Sequence, residues 1–138
     1  MLKLSSRTIY GVAGVFELAR QYRQGPTRVA DISKQHQIPR NYLDQILLEL
    51  KKAGLVESHR GARGGYTLEK SPEKISVWDV VEVLHGKVSM SAAVEVENPV
   101  LKNHWAKLDK EIKACFQTTY QELLDDWQRH QGALNYSI

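Results

Sequence analysis

The stretch "RGARGGY", residues 60–66, places two arginines among three glycines. Such loops commonly hold phosphate, because glycine lets the backbone approach closely and arginine supplies charge and several donors. The phosphate loops of enzymes have stricter patterns: a P-loop needs G-x-x-x-x-G-K-[ST], and a dinucleotide-binding loop needs G-x-G-x-x-G at the start of a helix. Neither pattern is present. Arg60 and Arg63 are therefore predicted to contact the backbone or minor groove of a nucleic acid, with a plain hairpin turn as the alternative.

No second set of residues suggests catalysis or metal binding. The five histidines are scattered along the chain and lack the H-E-x-x-H spacing that places two ligands on one helix face. The single Cys115 excludes an intrachain disulfide and a multi-cysteine zinc site. We therefore expect no catalytic residues and no metal ligands, and the protein is predicted not to be an enzyme.

Charge is distributed unevenly along the chain. Residues 1–70 contain 12 Lys+Arg and 6 Asp+Glu, a balance of +6, whereas residues 71–138 contain 7 and 10, a balance of −3. A basic first half suggests a polyanionic partner for that half. No stretch is long and apolar enough for a membrane span, and the start lacks the apolar core of a signal peptide. A cytoplasmic protein without a membrane partner is expected.

The clearest helix pattern lies just before this loop, in "RNYLDQILLELKKA", and predicts a helix over residues 39–53. Its apolar residues recur at i, i+3, i+4 and i+7, at Leu43, Ile46, Leu47 and Leu50. Gly54 follows where a left-handed cap is wanted. The opposite face is predicted to meet DNA, with its first turns toward base edges, and it carries Arg40, Asn41, Asp44, Gln45 and Lys51.

The surrounding elements complete a winged helix-turn-helix. A first helix is predicted from Ser6 to about Tyr22, and "TRVADISKQHQ" predicts a short second helix capped by Thr27. The first helix is expected to carry Ile9, Val12, Ala13, Phe16 and Ala19 on one face. "LVESHR" and "YTLEK" alternate like two strands, which makes the glycine-rich loop between them the wing. A fourth helix, "ISVWDVVEVLHG", opens with a capping box of Ser76 and Asp79. The predicted fold class is mainly α with a small β-hairpin.

The last third of the chain predicts a long helix that needs a partner. Asn98 and Pro99 open it as cap and first residue, and its apolar stripe contains Leu101, Trp105, Leu108 and Ile112. One stripe on so long a helix fits a partner helix. Thr119 and Glu122 form a second capping box, so a final helix is expected to about His130. The predicted organisation is a DNA-binding domain over 1–86, a loop over 87–97, dimerisation helices over 98–130 and a flexible tail over 131–138.

Several of these segments together resemble one family. "LSSRTIYGV", "ADISKQHQIPRNYLDQILLELKKAGLVES", "RGARGGYTL" and "ISVWDVVEVLHG" are similar to the Rrf-two family of bacterial winged-helix transcription regulators. The resemblance implies a homodimer joined through the long helix, two winged domains on a pseudo-palindromic double-stranded DNA, and repression. It also implies DNA contacts at Tyr42 and Arg60.

Well-known members of this family bind an iron–sulfur cluster through three cysteines in the loop before the long helix. The corresponding loop here, residues 87–98, contains no cysteine, and the first-helix position where some relatives supply an acidic ligand is Ile9. No cofactor is therefore predicted, and Cys115 is expected to be a buried core thiol. An atypical cluster or thiol redox site, using Cys115 with histidines of both subunits, is the alternative.

The cysteine-free loop makes the chain most similar to the branch of the family that represses cysteine metabolism together with O-acetylserine sulfhydrylase. The chain ends in "GALNYSI". The C-terminal tails of serine acetyltransferases, which dock in the active site of the sulfhydrylase, also end in isoleucine. The resemblance implies that the tail binds a sulfhydrylase, with Tyr136 and the Ile138 carboxylate as contacts. The rival interpretation is a protein–protein adaptor with a degenerate winged helix, against which the basic surplus and the two wing arginines argue.

Overall fold

The computed structural model of the chain describes residues 2–136, the side chains of residues 134–136 excepted. This range contains six α-helices, one 3-10 helix and one antiparallel hairpin. The elements are α1 (Ser6–Arg20), α2 (Val29–His36), α3 (Arg40–Lys52), β1 (Val56–His59), β2 (Gly65–Leu68), a 3-10 helix (Pro72–Lys74), α4 (Val77–His85), α5 (Pro99–Cys115) and α6 (Tyr120–Tyr136). The predicted fold class, mainly α with a small β-hairpin, is confirmed.

Helix α1 is apolar on two faces. Its core face carries Gly11, Gly14 and Val15, all of them buried. The predicted apolar face is the second one: Ile9 in it is 53% exposed, and the row that contains Ile9 and Phe16 faces α6. The sequence missed the core face because glycine has no apolar side chain and leaves no periodic hydrophobic signal.

The start of α2 differs from its prediction. Thr27 does not cap the helix, because its backbone N–H and C=O pair with the C=O and N–H of Tyr66, at 2.9 Å each. Thr27 thereby forms an isolated bridge beside the hairpin. Arg28 occupies the N-cap position without a side-chain capping bond, and Ile32 is the buried residue of the helix. The hydrogen bonds that pair the free edge of β2 with Thr27 therefore outweigh the local preference for a threonine cap.

Helix α3 is fixed in the core by the predicted residues. Leu43, Ile46, Leu47 and Leu50 are each fully buried. Gly54 has φ +81°, and the Leu55 N–H donates to the Leu50 carbonyl at 3.0 Å, which is the predicted left-handed termination. One face of α3 is thus held by packing, and the opposite face is presented outward.

A buried carboxylate connects α1, α2 and α6. Glu17 of α1 is only 4% exposed, and it accepts bonds from Arg20 Nη1 at 2.7 and 3.0 Å and lies 3.2 Å from His36 Nε2 of α2. The Arg20 guanidinium lies over the Trp127 ring of α6, 5.1 Å from its centroid. Because a buried charge needs partners, this group ties the second helix and the last helix to α1.

The junction between α5 and α6 is attached to the start of α4. The predicted capping box is present: Ser76 Oγ accepts from the Asp79 N–H, and the Asp79 carboxylate accepts from the Ser76 N–H. The Val77 N–H, which has no partner inside its own helix, donates to the Thr118 carbonyl at 2.9 Å. The chain therefore returns to its own first domain after α5.

Helix α6 packs against α1 of the same chain. Tyr120 is fully buried, and its hydroxyl donates to the Val12 carbonyl at 3.0 Å. The helix continues to Tyr136, past the end predicted near His130, so residues 131–136 are helical where a tail was predicted. Gly132 lowers helix stability by only about 1 kcal/mol relative to alanine, and no proline stops the helix.

Helix α5 stands apart from this core. None of its residues is buried. Cys115 is exposed, so the prediction of a buried core thiol is wrong; the neighbouring Phe116 takes the inward position, 6.1 Å from the Trp78 ring. Within residues 2–136 no helix has the length and apolarity needed to cross a membrane.

Candidate nucleic-acid interface

The outward face of α3 carries every side chain that the sequence assigned to DNA contact on this helix. Four of these, in its first turns, are Arg40, Asn41, Asp44 and Gln45, and all are exposed. Tyr42 is 47% exposed, and its ring lies 6.2 Å from that of Tyr10 on α1. Lys51 is exposed in the last turn. Donors and acceptors for base edges are therefore concentrated at one end of α3, and a cation stands at the other.

The glycine-rich loop forms the tip of the hairpin, as predicted. Strands β1 and β2 pair from Val56 with Leu68 to His59 with Gly65, and Arg60 and Arg63 are both exposed in the loop between them. Gly61 has φ +102°. A Cβ at residue 65 would overlap the Thr27 carbonyl, so glycine is required where the strand meets Thr27.

Arg28 joins this wing to the helix-turn-helix. Its Nη2 donates to the Ala62 carbonyl at the wing tip at 2.7 Å, and the guanidinium is exposed. The residue lies immediately before α2. Arg28 is not among the predicted DNA contacts. The signal available in the sequence is a basic residue directly before a predicted helix in the basic half of the chain.

An open cleft of about 460 Å³ separates the wing from the starts of α2 and α3. Two arginines line it, Arg28 and Arg40, together with backbone of the wing at Gly61 and Gly64, and no acidic residue lines it. A cleft lined by cations and by accessible backbone attracts phosphate oxygens. The structure thus brings Arg40 and the wing together around one positively charged surface.

The base of the wing also faces α3. Burial, and then the negative charge of Asp44, raise the pKa of the Tyr66 phenol above its ordinary value. This influence means that the Asp44 carboxylate of α3 acts on β2 across the interface.

The residues predicted to dimerise lie on α5. Leu101 is 49% exposed, while Trp105, Leu108 and Ile112 are half-buried. The predicted tail contacts cannot be compared in the same way: Tyr136 belongs to α6 by its backbone, its side chain is not described, and Ile138 lies outside the described residues.

Comparison with known proteins identifies relatives of this chain. The model of the Rrf2 family, described as an iron-dependent transcriptional regulator, matches residues 4–126. The chain is 34% identical over 138 residues to the HTH-type transcriptional regulator CymR of Bacillus subtilis (strain 168), covering 99% of this chain and 100% of that protein. Among solved structures it is similar to CymR, the global cysteine regulator of B. subtilis (TM-score 0.81, 35% identity, 89% and 96% of the two chains), and to T. potens IscR (0.79, 34%, 94% and 91%).

The iron in that family description can be tested against the donors of this chain. Iron–sulfur clusters are held mainly by cysteine thiolates. The chain has a single cysteine, and in the described residues no three His, Cys, Asp or Glu side chains come together in a way that could hold a metal ion. The donors that the described residues of one chain provide therefore do not fit such a group.

Proposed function

This chain belongs to the Rrf2 family of transcriptional regulators, and we propose that it acts as a homodimeric repressor that binds a pseudo-palindromic operator in double-stranded DNA. Membership confirms the resemblance seen in the sequence and the prediction of a DNA-binding regulator rather than an enzyme. The dimer, the direction of regulation and the residue roles are our proposals.

The observation that carries the DNA-binding proposal is the cleft lined by Arg28 and Arg40 between α3 and the wing. Helix α3 enters the major groove with its first turns, where Asn41 and Gln45 pair with adenine edges and Arg40 with guanine. Arg60 and Arg63 at the wing tip contact the adjacent minor groove or backbone. Arg28 has a double role, since its bond to Ala62 orients the wing while its charge meets phosphate.

The dimer proposal rests on α5. None of the 17 residues of this helix is buried, and its apolar stripe is only partly covered by the described residues: Leu101 is exposed, and the other three members are half-buried. Packing α5 against the α5 of a second copy would bury Leu101, Trp105, Leu108 and Ile112. Two-fold symmetry then places two copies of α3 on successive turns of one DNA face, which requires two inverted half-sites. A dimer bound across a promoter excludes polymerase, and we infer repression for that reason.

Control by O-acetylserine sulfhydrylase remains a proposal drawn from the family branch. Its support is the likeness over the full length to CymR, the global cysteine regulator, together with the terminal isoleucine. The enzyme would capture the free carboxylate of Ile138 by main-chain donors. Titration calorimetry of the sulfhydrylase with the full chain should give binding that deletion of Ile138 abolishes; undiminished binding by the deletion variant would refute the tail contact.

Fluorescence anisotropy on DNA from the upstream region of its own gene tests the DNA-binding proposal. The metal-free protein should bind with a steep dependence on salt, because phosphate contacts release counterions. Arg28→Ala, Arg60→Ala and Arg63→Ala should each weaken binding at all sequences and lower the salt slope by about 1. Lys74→Ala is the matched control, since Lys74 is exposed in the 3-10 helix that packs against α6. Binding without salt dependence would favour the adaptor interpretation instead.

A further inference from the structure

One exposed residue of α3 does not match the polar character of its surroundings. Leu48 is 46% exposed, whereas the other leucines and the isoleucine of this helix are fully buried. Along the helix, Leu48 follows Asp44 and Gln45 by one turn and precedes Lys52 by one turn, and all three of these are exposed. The leucine thus lies in the middle of the face proposed to enter DNA.

The helical repeat places Leu48 in line with a proposed base-reading residue. Asn41 and Leu48 are seven positions apart, so they differ by only about 20° around the helix and by roughly 10 Å along it. With α3 lying along the major groove, that distance corresponds to about three base pairs at 3.4 Å per base. When Asn41 faces a base edge, Leu48 faces the same groove about three base pairs away.

The chemistry of the major groove restricts what a leucine can recognise there. A leucine side chain neither donates nor accepts a hydrogen bond, and against guanine, adenine or cytosine edges it would cover polar groups without satisfying them. The one apolar group on the floor of the major groove is the C5-methyl of thymine.

We propose that Leu48 is a specificity-determining residue that packs on a thymine methyl in each half-site, about three base pairs from the base read by Asn41. This inference rests on the proposed function, because it requires α3 in the major groove. One buried methyl group corresponds to about a fourfold change in affinity. Leu48 would therefore supply a preference for thymine that hydrogen-bonding residues on the same face do not give.

A double-mutant cycle between protein and DNA tests the contact. High-affinity sites are first selected from random duplexes with the wild-type protein, and each thymine is then replaced singly by deoxyuridine, which removes only the methyl group. Anisotropy with the wild-type protein should reveal one thymine per half-site whose replacement weakens binding about fourfold. The same replacement should leave the affinity of Leu48→Ala unchanged, while Leu48→Met should retain most of the discrimination.

Control measurements distinguish this inference from the proposed DNA-binding function on which it rests. Val94→Ala removes an exposed apolar side chain from the loop after α4, and it should keep the full response to deoxyuridine. Salt-dependent binding by the wild-type protein without any thymine coupled to Leu48 would overturn the inference and leave the proposed function standing. Failure of the wild-type protein to select or bind any duplex would overturn both. Because Leu48 is exposed, the alanine variant should keep the wild-type melting temperature.

Discussion

Two glycines of α1, one helical turn apart, should respond differently to alanine. Both Gly11 and Gly14 are buried. A Cβ at residue 11 would overlap Leu84 Cδ1 of α4 and lie 3.3 Å from Ile46 Cγ2 of α3. A Cβ at residue 14 would lie 3.4 Å from Leu43 Cδ1, an ordinary van der Waals distance. Alanine at residue 11 would therefore overlap a neighbouring side chain, whereas alanine at residue 14 would fit without overlap.

The expected magnitudes follow from these distances. Replacing glycine by alanine within a helix gains about 1 kcal/mol, so Gly14→Ala should raise the free energy of unfolding by about that amount. Gly11→Ala has the same gain, but Leu84 is only 7% exposed and must leave its rotamer within the core. Such overpacking costs about 1–3 kcal/mol. Gly14→Ala should therefore be more stable than Gly11→Ala by about 1–3 kcal/mol.

Urea denaturation at one fixed protein concentration measures this difference, since oligomerisation makes apparent stability depend on concentration. Gly132→Ala is the control for helix propensity alone, because a Cβ there has no neighbour within 4 Å. The Gly14 variant should bind DNA like the wild type. If Gly11→Ala proves as stable as Gly14→Ala, Leu84 accommodates the added methyl group without cost, and the tight packing of α1 against α4 is refuted.

Two further predictions concern the attachment of α6 and α2 to α1. Burial, and then the charge of Asp79, raise the pKa of Tyr120 far above its ordinary value. The folded state therefore keeps a proton that the unfolded chain releases above about pH 10. Because of this difference, the free energy of unfolding should fall as pH rises beyond that value. Tyr120→Phe should lose about 1 kcal/mol at neutral pH and show less of this alkaline loss in urea titrations at pH 8–11; an equal alkaline loss would contradict the assignment. Glu17→Ala leaves Arg20 and His36 without their shared carboxylate and should lower the free energy of unfolding by about 1–3 kcal/mol, whereas an unchanged thermal midpoint would show that the buried group stabilises nothing.

The sequence was most informative where a signal is local. The spacing of leucines in α3, the glycine at residue 54 and the capping box of α4 each act within one or two helical turns, and each is present as predicted. The glycines of the wing belong to the same class, because positive φ and close approach depend on the residue itself. The charge surplus of the first half likewise needs no knowledge of packing, and it predicts a polyanionic partner for that half.

Apart from the end of α6, which lies beyond the predicted His130, the failed predictions concern contacts between distant segments. Threonine is a residue type that often caps helices, but the backbone N–H and C=O of Thr27 are hydrogen-bonded to Tyr66 of β2. Cys115 has apolar character and was predicted to be buried, yet it is exposed. Arg28 belongs to no periodic pattern or motif in the sequence. Its hydrogen bond to Ala62 at the wing tip is visible only in the folded structure.

The sequence by itself determined the helix-turn-helix, the hairpin and the family, because these follow from periodicity, turn chemistry and residue order. Only the tertiary structure decided that α6 returns to α1, that Glu17 is buried among three helices, and that Arg28 and Arg40 share one cleft with the wing. The physical reason is the range of the forces involved. Capping and periodicity are satisfied within a few residues, whereas the burial of a charge or the pairing of a strand edge is satisfied by whichever distant group the packing of the whole chain brings near.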